Sequence, residues 1–151
     1  MMKDYADLSM HTAEHLLNRS MVRLLGCGRA FSSHIEKKKS KCDYRFPRDL
    51  TPEERAGLEA LVNETIQADL PVSEVFVPLA EAREKFDLAR LPGEAAGSSL
   101  RVVKVGDFDA CPCIGPHVAS TGEIGVFRII STGFAEGVLR IRFKLGEKAP
   151  G

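Results

Sequence analysis

Two stretches near the end of the chain, VFRIISTGF (126–134) and VLRIRFKL (138–145), are separated only by AEG. Both have the composition of strands, and a connection that short leaves the chain no room for anything but an antiparallel hairpin. Any fold must be built around that hairpin. LRVVKV (100–105) is the strongest buried-strand candidate elsewhere, VSEVFV (72–77) alternates roughly as a strand does, and AFSSHIE and CDYRF flank the polar run KKKSK, as two strands joined by a basic turn would.

Helical signals lie between these strands. From about Ser9 to Leu25, with Asp7 and Ser9 as capping side chains, Ala13, Leu16, Leu17, Met21, Leu24 and Leu25 recur at helical spacing and only Ser20 interrupts the stripe. The expectation is an amphipathic helix ended by Gly26. Leu50-Thr51-Pro52-Glu53-Glu54 is a clearer start, with Thr51 as N-cap, Pro52 at the first helical position and Glu54 closing a capping box. Pro71 stops that helix. A short third helix is expected over Leu79–Phe86, then the linker LPGEAAGSS, and after LRVVKV the loop GDFDACPCIGPHVASTGEIG. At 151 residues, with 44% hydrophobic and 28% charged residues, the chain suits one domain spanning 1–151. Its class is α+β, a mostly antiparallel sheet with packed helices.

Lysine and arginine equal aspartate and glutamate at 21 each, so the molecule as a whole does not attract polyanions, and any nucleic-acid contact must come from a local basic patch. The opening MMKDYADLSMHTAEHLL lacks the apolar core of a signal peptide, and no stretch approaches the roughly 18 apolar residues of a membrane span. A cytoplasmic protein without membrane contact is the expectation. In that compartment Cys27, Cys42, Cys111 and Cys113 are read as reduced thiols. Thiols near histidines suggest metal.

In HTAEH, His11 and His15 stand four apart, about 6 Å along a helix axis, and project from one face. Two such imidazoles can share a metal ion or can be ordinary boundary residues. In CPCIGPH, Cys113 and His117 are also four apart, in a loop whose glycine and proline can aim both at one point. The four together make a Cys-His₃ set with the ligand types and tetrahedral count of zinc, which also describes a closed structural staple. HTAEH further matches the H-x-x-E-H pattern of inverzincin proteases, with Glu14 as general base, but that reading leaves Cys113 and His117 idle.

HTAEHLL followed some hundred residues later by CIGPHVASTGEIG resembles the editing domain of alanyl-tRNA synthetase and its free-standing AlaX-type relatives, and the Cys-x-Gly-Pro-His loop is similar to that of the threonyl-tRNA synthetase editing domain. The TPEE helix, the TGEIG segment and the closing hairpin fall in the same order, so the resemblance spans nearly the whole chain. It implies a fold like the synthetases' second additional domain, with His11, His15, Cys113 and His117 as zinc ligands. It also implies hydrolysis of the ester joining a wrong amino acid to the 3′ end of a tRNA, Ser-tRNA(Ala) or Gly-tRNA(Ala), with that mischarged end as partner and a protein partner left open. A metal-stabilised binding module of the same fold, without hydrolysis, is the alternative.

In these relatives a hydroxyl residue on the strand after the first helix recognises the amino acid, and Ser32 falls at the comparable place, where it also reads as an ordinary strand serine. The dense basic run Lys37, Lys38, Lys39 and Lys41, reinforced by Arg45 and Arg48, is either a solvated turn or a tRNA phosphate contact. His34 and Cys42 in the same hairpin are given no catalytic role. Cys111, two positions before Cys113, could be a spare ligand, line the pocket or be oxidised with its neighbour, and Thr121 and Gly122 are taken to shape the turn behind the metal loop.

Overall fold

The computed structural model describes residues 5–36, 38–78, 80, 81, 99–112 and 117–146. Among them the chain runs through α1 (Tyr5–Leu25), β1 (Ser32–His34), β2 (Ser40–Arg45), α2 (Pro52–Gln67), β3 (Val72–Pro78), β4 (Ser99–Val105), β5 (Asp109–Pro112), β6 (Val126–Ala135) and β7 (Val138–Gly146). The strands form two wholly antiparallel sheets, one ordered β1-β2-β7-β6 and one ordered β3-β4-β5. The α+β expectation therefore holds. The third helix expected over Leu79–Phe86 lies outside the described residues except for Ala80 and Glu81, which are helical, and so does the linker before Ser99.

The expected loop after β4 is partly a strand. Asp109–Pro112 turns back along β4, with Val105 opposite Asp109 and Val103 opposite Cys111. ACP has little strand character of its own. The ladder is supplied by the apolar β4, and β5 lies at the edge of its sheet, the position in a sheet that tolerates a proline.

Helix α1 differs from its expectation in two ways. It starts at Tyr5, which places Asp7 and Ser9 inside it. It is also not simply amphipathic: from Met10 to Met21 every residue is buried except His11 and Arg19, which are half-buried, while Leu24 is 49% exposed. A helix covered on all sides must satisfy its polar groups internally. Ser20 bonds the Leu16 carbonyl at 2.7 Å, and the Asn18 side-chain oxygen accepts from Ala30 N at 3.1 Å and the Tyr44 hydroxyl at 2.7 Å. Gly26 ends the helix as expected, at φ +64° with its N–H on the Val22 carbonyl.

Helix α2 carries the capping box read from its sequence. Thr51 accepts from Glu54 N at 3.1 Å, and the Glu54 carboxylate accepts from Thr51 N at 2.9 Å. Its side chains then complete the exposed edge of the four-stranded sheet. Asn63 donates to the Phe127 carbonyl and accepts from Phe127 N, Glu59 accepts from Ile129 N, and Arg55 donates to the Ile129 carbonyl, all within 2.6–2.9 Å. An edge strand otherwise presents such groups unpaired. The core joins Leu16, Leu17 and Met21 of α1, Leu58 and Val62 of α2, and Tyr44, Phe127, Ile141 and Phe143 of the larger sheet.

Candidate functional site

His11 and His15 lie one helical turn apart on α1, and the imidazole of His117 stands over both. Ring centroids are 5.7 Å apart for His11 and His117, and 4.7 Å for His15 and His117. With metal–nitrogen bonds of about 2.0–2.1 Å and tetrahedral angles, ligand rings on one zinc would sit roughly 5 Å apart. The ring spacing thus suits a shared ion. Among the described residues no three His, Cys, Asp or Glu side chains already close as a metal-holding group, and the fourth expected ligand, Cys113, lies outside the described residues.

The segment bearing His117 is pinned to α1 by one side chain. Buried Thr12, between the two histidines, has its hydroxyl 3.2 Å from His117 Nδ1, accepts from Val118 N at 3.2 Å, and lies 3.0 Å from the Leu8 carbonyl, to which it can donate. The other end is tied to the C-terminus of α2. Thr121 donates to the Thr65 carbonyl and accepts from Leu70 N, both at 2.8 Å, and Gly122 N donates to Asp69 at 3.0 Å. A Cβ at Gly122 would come within 2.4 Å of that carboxylate, so a larger residue there would displace the Asp69 side chain.

Asp109 of β5 backs His15. Its carboxylate, 2% exposed, lies 3.6 Å from His15 Nδ1 and receives two parallel bonds from Arg29 at 3.0 and 3.1 Å. Burial works to raise its pKa, but the His15 and Arg29 contacts outweigh burial and hold Asp109 below the usual carboxylate range. Burial, and then the neighbouring His15, His11 and Arg101, push His117 down to about 3, so its imidazole is neutral at physiological pH. Neutral imidazoles are the form that ligates a metal. A cavity of about 450 Å³ is lined by Asp109 together with Arg19, Arg29, Lys104 and Cys111, and a smaller one of about 210 Å³ opens beside His117.

The two serines of β1 face opposite ways. Ser32 and His34 are exposed and point away from α1, whereas Ser33 between them turns inward and donates to the Glu14 carboxylate at 2.5 Å. Glu14 is thereby engaged with β1. Periodicity could have separated Ser33 from Ser32 only with the strand's inner face known in advance. Cys42 is buried beside Ser33, and Cys111 is half-buried with its Sγ 3.4 Å from the Pro112 carbonyl. Lys38 and Lys39 lie exposed in the β1–β2 turn, Lys41 on β2, and Lys37 outside the described residues.

Sequence comparison bears on this arrangement. Residues 100–142 match the family model described as the threonyl and alanyl tRNA synthetase second additional domain. An alanine-tRNA ligase of Coxiella burnetii is 43% identical over 92% of this chain and 16% of that protein. This chain is a relative of the alanyl-tRNA synthetases. The Bacillus subtilis alanine-tRNA ligase is 39% identical over the same shares, and the Neisseria gonorrhoeae enzyme 36% identical over 95% of this chain and 17% of its own length. The chain thus spans about a sixth of these curated relatives. The Neisseria match leaves too little of the chain aside to miss either the histidine pair of α1 or the His117 segment. No helix among the described residues is long and apolar enough to cross a membrane.

Proposed function

We propose that this protein is an aminoacyl-tRNA deacylase of the alanyl-tRNA editing type, acting on a mischarged tRNA such as Ser-tRNA(Ala) or Gly-tRNA(Ala). The observation that carries the reading is the convergence of His11 and His15 of α1 with His117, more than a hundred residues later. His11, His15, His117 and Cys113 would hold a zinc ion. The bound ion would supply positive charge to stabilise the oxyanion that develops when water attacks an ester.

The protein's own groups prepare that site. The single hydrogen of Thr12, given to Leu8, leaves His117 Nδ1–H to donate to Thr12 and makes Nε2 the lone-pair nitrogen of the ring. Asp109, braced by Arg29, places its carboxylate 3.6 Å behind His15 Nδ1, where its charge favours a proton on that nitrogen. The His117 imidazole is then oriented before any ligand arrives, as an outer partner orients a ligating histidine. We assign amino-acid recognition to Ser33 in place of Ser32. Having donated its hydrogen to Glu14, the Ser33 oxygen presents only lone pairs, and so accepts from a substrate hydroxyl or ammonium. A carboxyl ester needs no strong nucleophile, so a positioned water suffices.

The test incubates purified protein with Ser-tRNA(Ala), Gly-tRNA(Ala) and Thr-tRNA(Thr), with and without chelator, beside Cys113→Ala. Release of serine or glycine that disappears on chelation and in the variant is the expected result. Bound zinc with no turnover on any of the three would overturn the hydrolase reading and leave a metal-stabilised binding module.

A further inference from the structure

The outward face of the larger sheet is a cationic platform, and we propose that it binds the phosphodiester backbone of a tRNA. Inward positions on β2 and β7 are apolar or buried: Cys42 and Tyr44, then Leu139, Ile141 and Phe143. The alternate positions carry Lys41 and Arg45 on β2, and Arg140, Arg142 and Lys144 on β7, with Arg128 joining them from β6. The register then sets like charges directly opposite one another. Lys41 faces Arg142, and Arg128 faces Lys144.

Directly opposed like charges destabilise a sheet, and a chain with no net charge has no general excess of cations to account for them. Asp43 is the one acid on these strand rows, and it is occupied: Arg140 reaches it with two bonds at 2.7 and 2.9 Å. Glu36 and Glu136 stand at turns on the rim, Glu36 bonded to His34. The remaining cations are spaced by the sheet itself, about 4.8 Å between strands and about 6.8 Å between alternate residues of one strand. Phosphates along a nucleic-acid strand recur on the same scale. Around the rim Arg45 lies over the exposed Phe31 ring at 4.2 Å, an aromatic surface on which a base can stack. The basic β1–β2 turn is then the margin of a larger surface. Charge complementarity selects a polyanion, and the two-dimensional spread favours a folded nucleic acid over a single anionic group.

This inference rests on the proposed function for the identity of the polynucleotide, but its test separates the two. Fluorescein-labelled uncharged tRNA is titrated with the full chain at several salt concentrations, and anisotropy gives the affinity. In R142E/K144E affinity should fall at least about tenfold, and the slope of log affinity against log salt should shrink by about one for each phosphate that is no longer neutralised. R142A/K144A, which introduces no new charge, should show a smaller loss with an unchanged or higher melting temperature. A K38A/K39A turn variant should lose less than either. Equal affinity and slope in wild type and both sheet variants would overturn the proposal, as would tighter binding to phosphatidylserine vesicles than to tRNA. Wild-type protein that binds tRNA through this face yet releases no amino acid supports the surface and refutes the hydrolase.

Discussion

The Thr12 hydroxyl lies 3.2 Å from His117 Nδ1 and 3.2 Å from Val118 N, so one buried side chain joins the first helix to the segment that faces it across the site. Thr12→Val keeps the shape and removes both of these interactions together with the bond to the Leu8 carbonyl. Zinc affinity, measured by competition with a chromophoric chelator, should fall roughly 10–100-fold, the usual effect of removing an orienting partner from a ligand histidine. Thr12→Ser should stay within a few-fold of wild type. Unchanged affinity in Thr12→Val would show that His117 is oriented by something else.

Stability of the metal-free protein should depend on pH through His117. Its folded-state value of about 3 lies below the ordinary 6.5, so the unfolded chain binds more protons between those limits. Stability is therefore fully present above pH 6.5 and declines as pH falls toward 3, with a slope of at most about 1.4 kcal/mol per pH unit from this group. Urea denaturation midpoints from about pH 7.5 to about pH 4, compared between wild type and His117→Gln, check it. The variant should show the shallower decline. Asp109 acts in the same direction at lower pH: its depressed value contributes stability above about 3.8, lost as acid protonates the folded form.

Asn63 satisfies both the N–H and the carbonyl of Phe127 on the edge strand. Asn63→Ala leaves two partly buried backbone groups without that partner and should cost about 1–3 kcal/mol in urea denaturation. Exchange of the Phe127 amide should accelerate in the same variant. Retained protection there would mean that solvent or a shifted α2 replaces the side chain.

Thr51→Ala removes the N-cap of α2 and should cost about 1 kcal/mol, while Thr51→Ser should be close to neutral. Thermal melts of the two variants distinguish loss of the cap from loss of the side-chain methyl. Because α2 also covers the β6 edge and receives Thr121, a fraying first turn should leave the far end, and with it the His117 segment, in place.

Much of the fold was legible because it depends on neighbours in sequence. The Thr51 cap, Gly26 as a helix stop, and the β6–β7 hairpin with its turn all follow from local backbone preferences. The two histidine spacings were equally local. What escaped were details set by which side of an element faces inward and by what its neighbours offer it. The choice between Ser32 and Ser33 is a question of strand parity, and β1 is only three residues long. The strand in Asp109–Pro112 has weak intrinsic character and exists because β4 offers it a ladder.

From sequence come the chemical types available here: an imidazole pair on a helix, a thiol and imidazole in a turn, alternating cations on strands, and the spacing of each set. Local dihedral preference and side-chain period are sufficient to encode these. Tertiary structure decided that Thr12 and Asp109 stand behind imidazoles, that the polar side of α1 is interior, and that cations of three strands share one outer surface. Those outcomes depend on long-range packing and register, where a shift of a single residue sends every side chain to the opposite face.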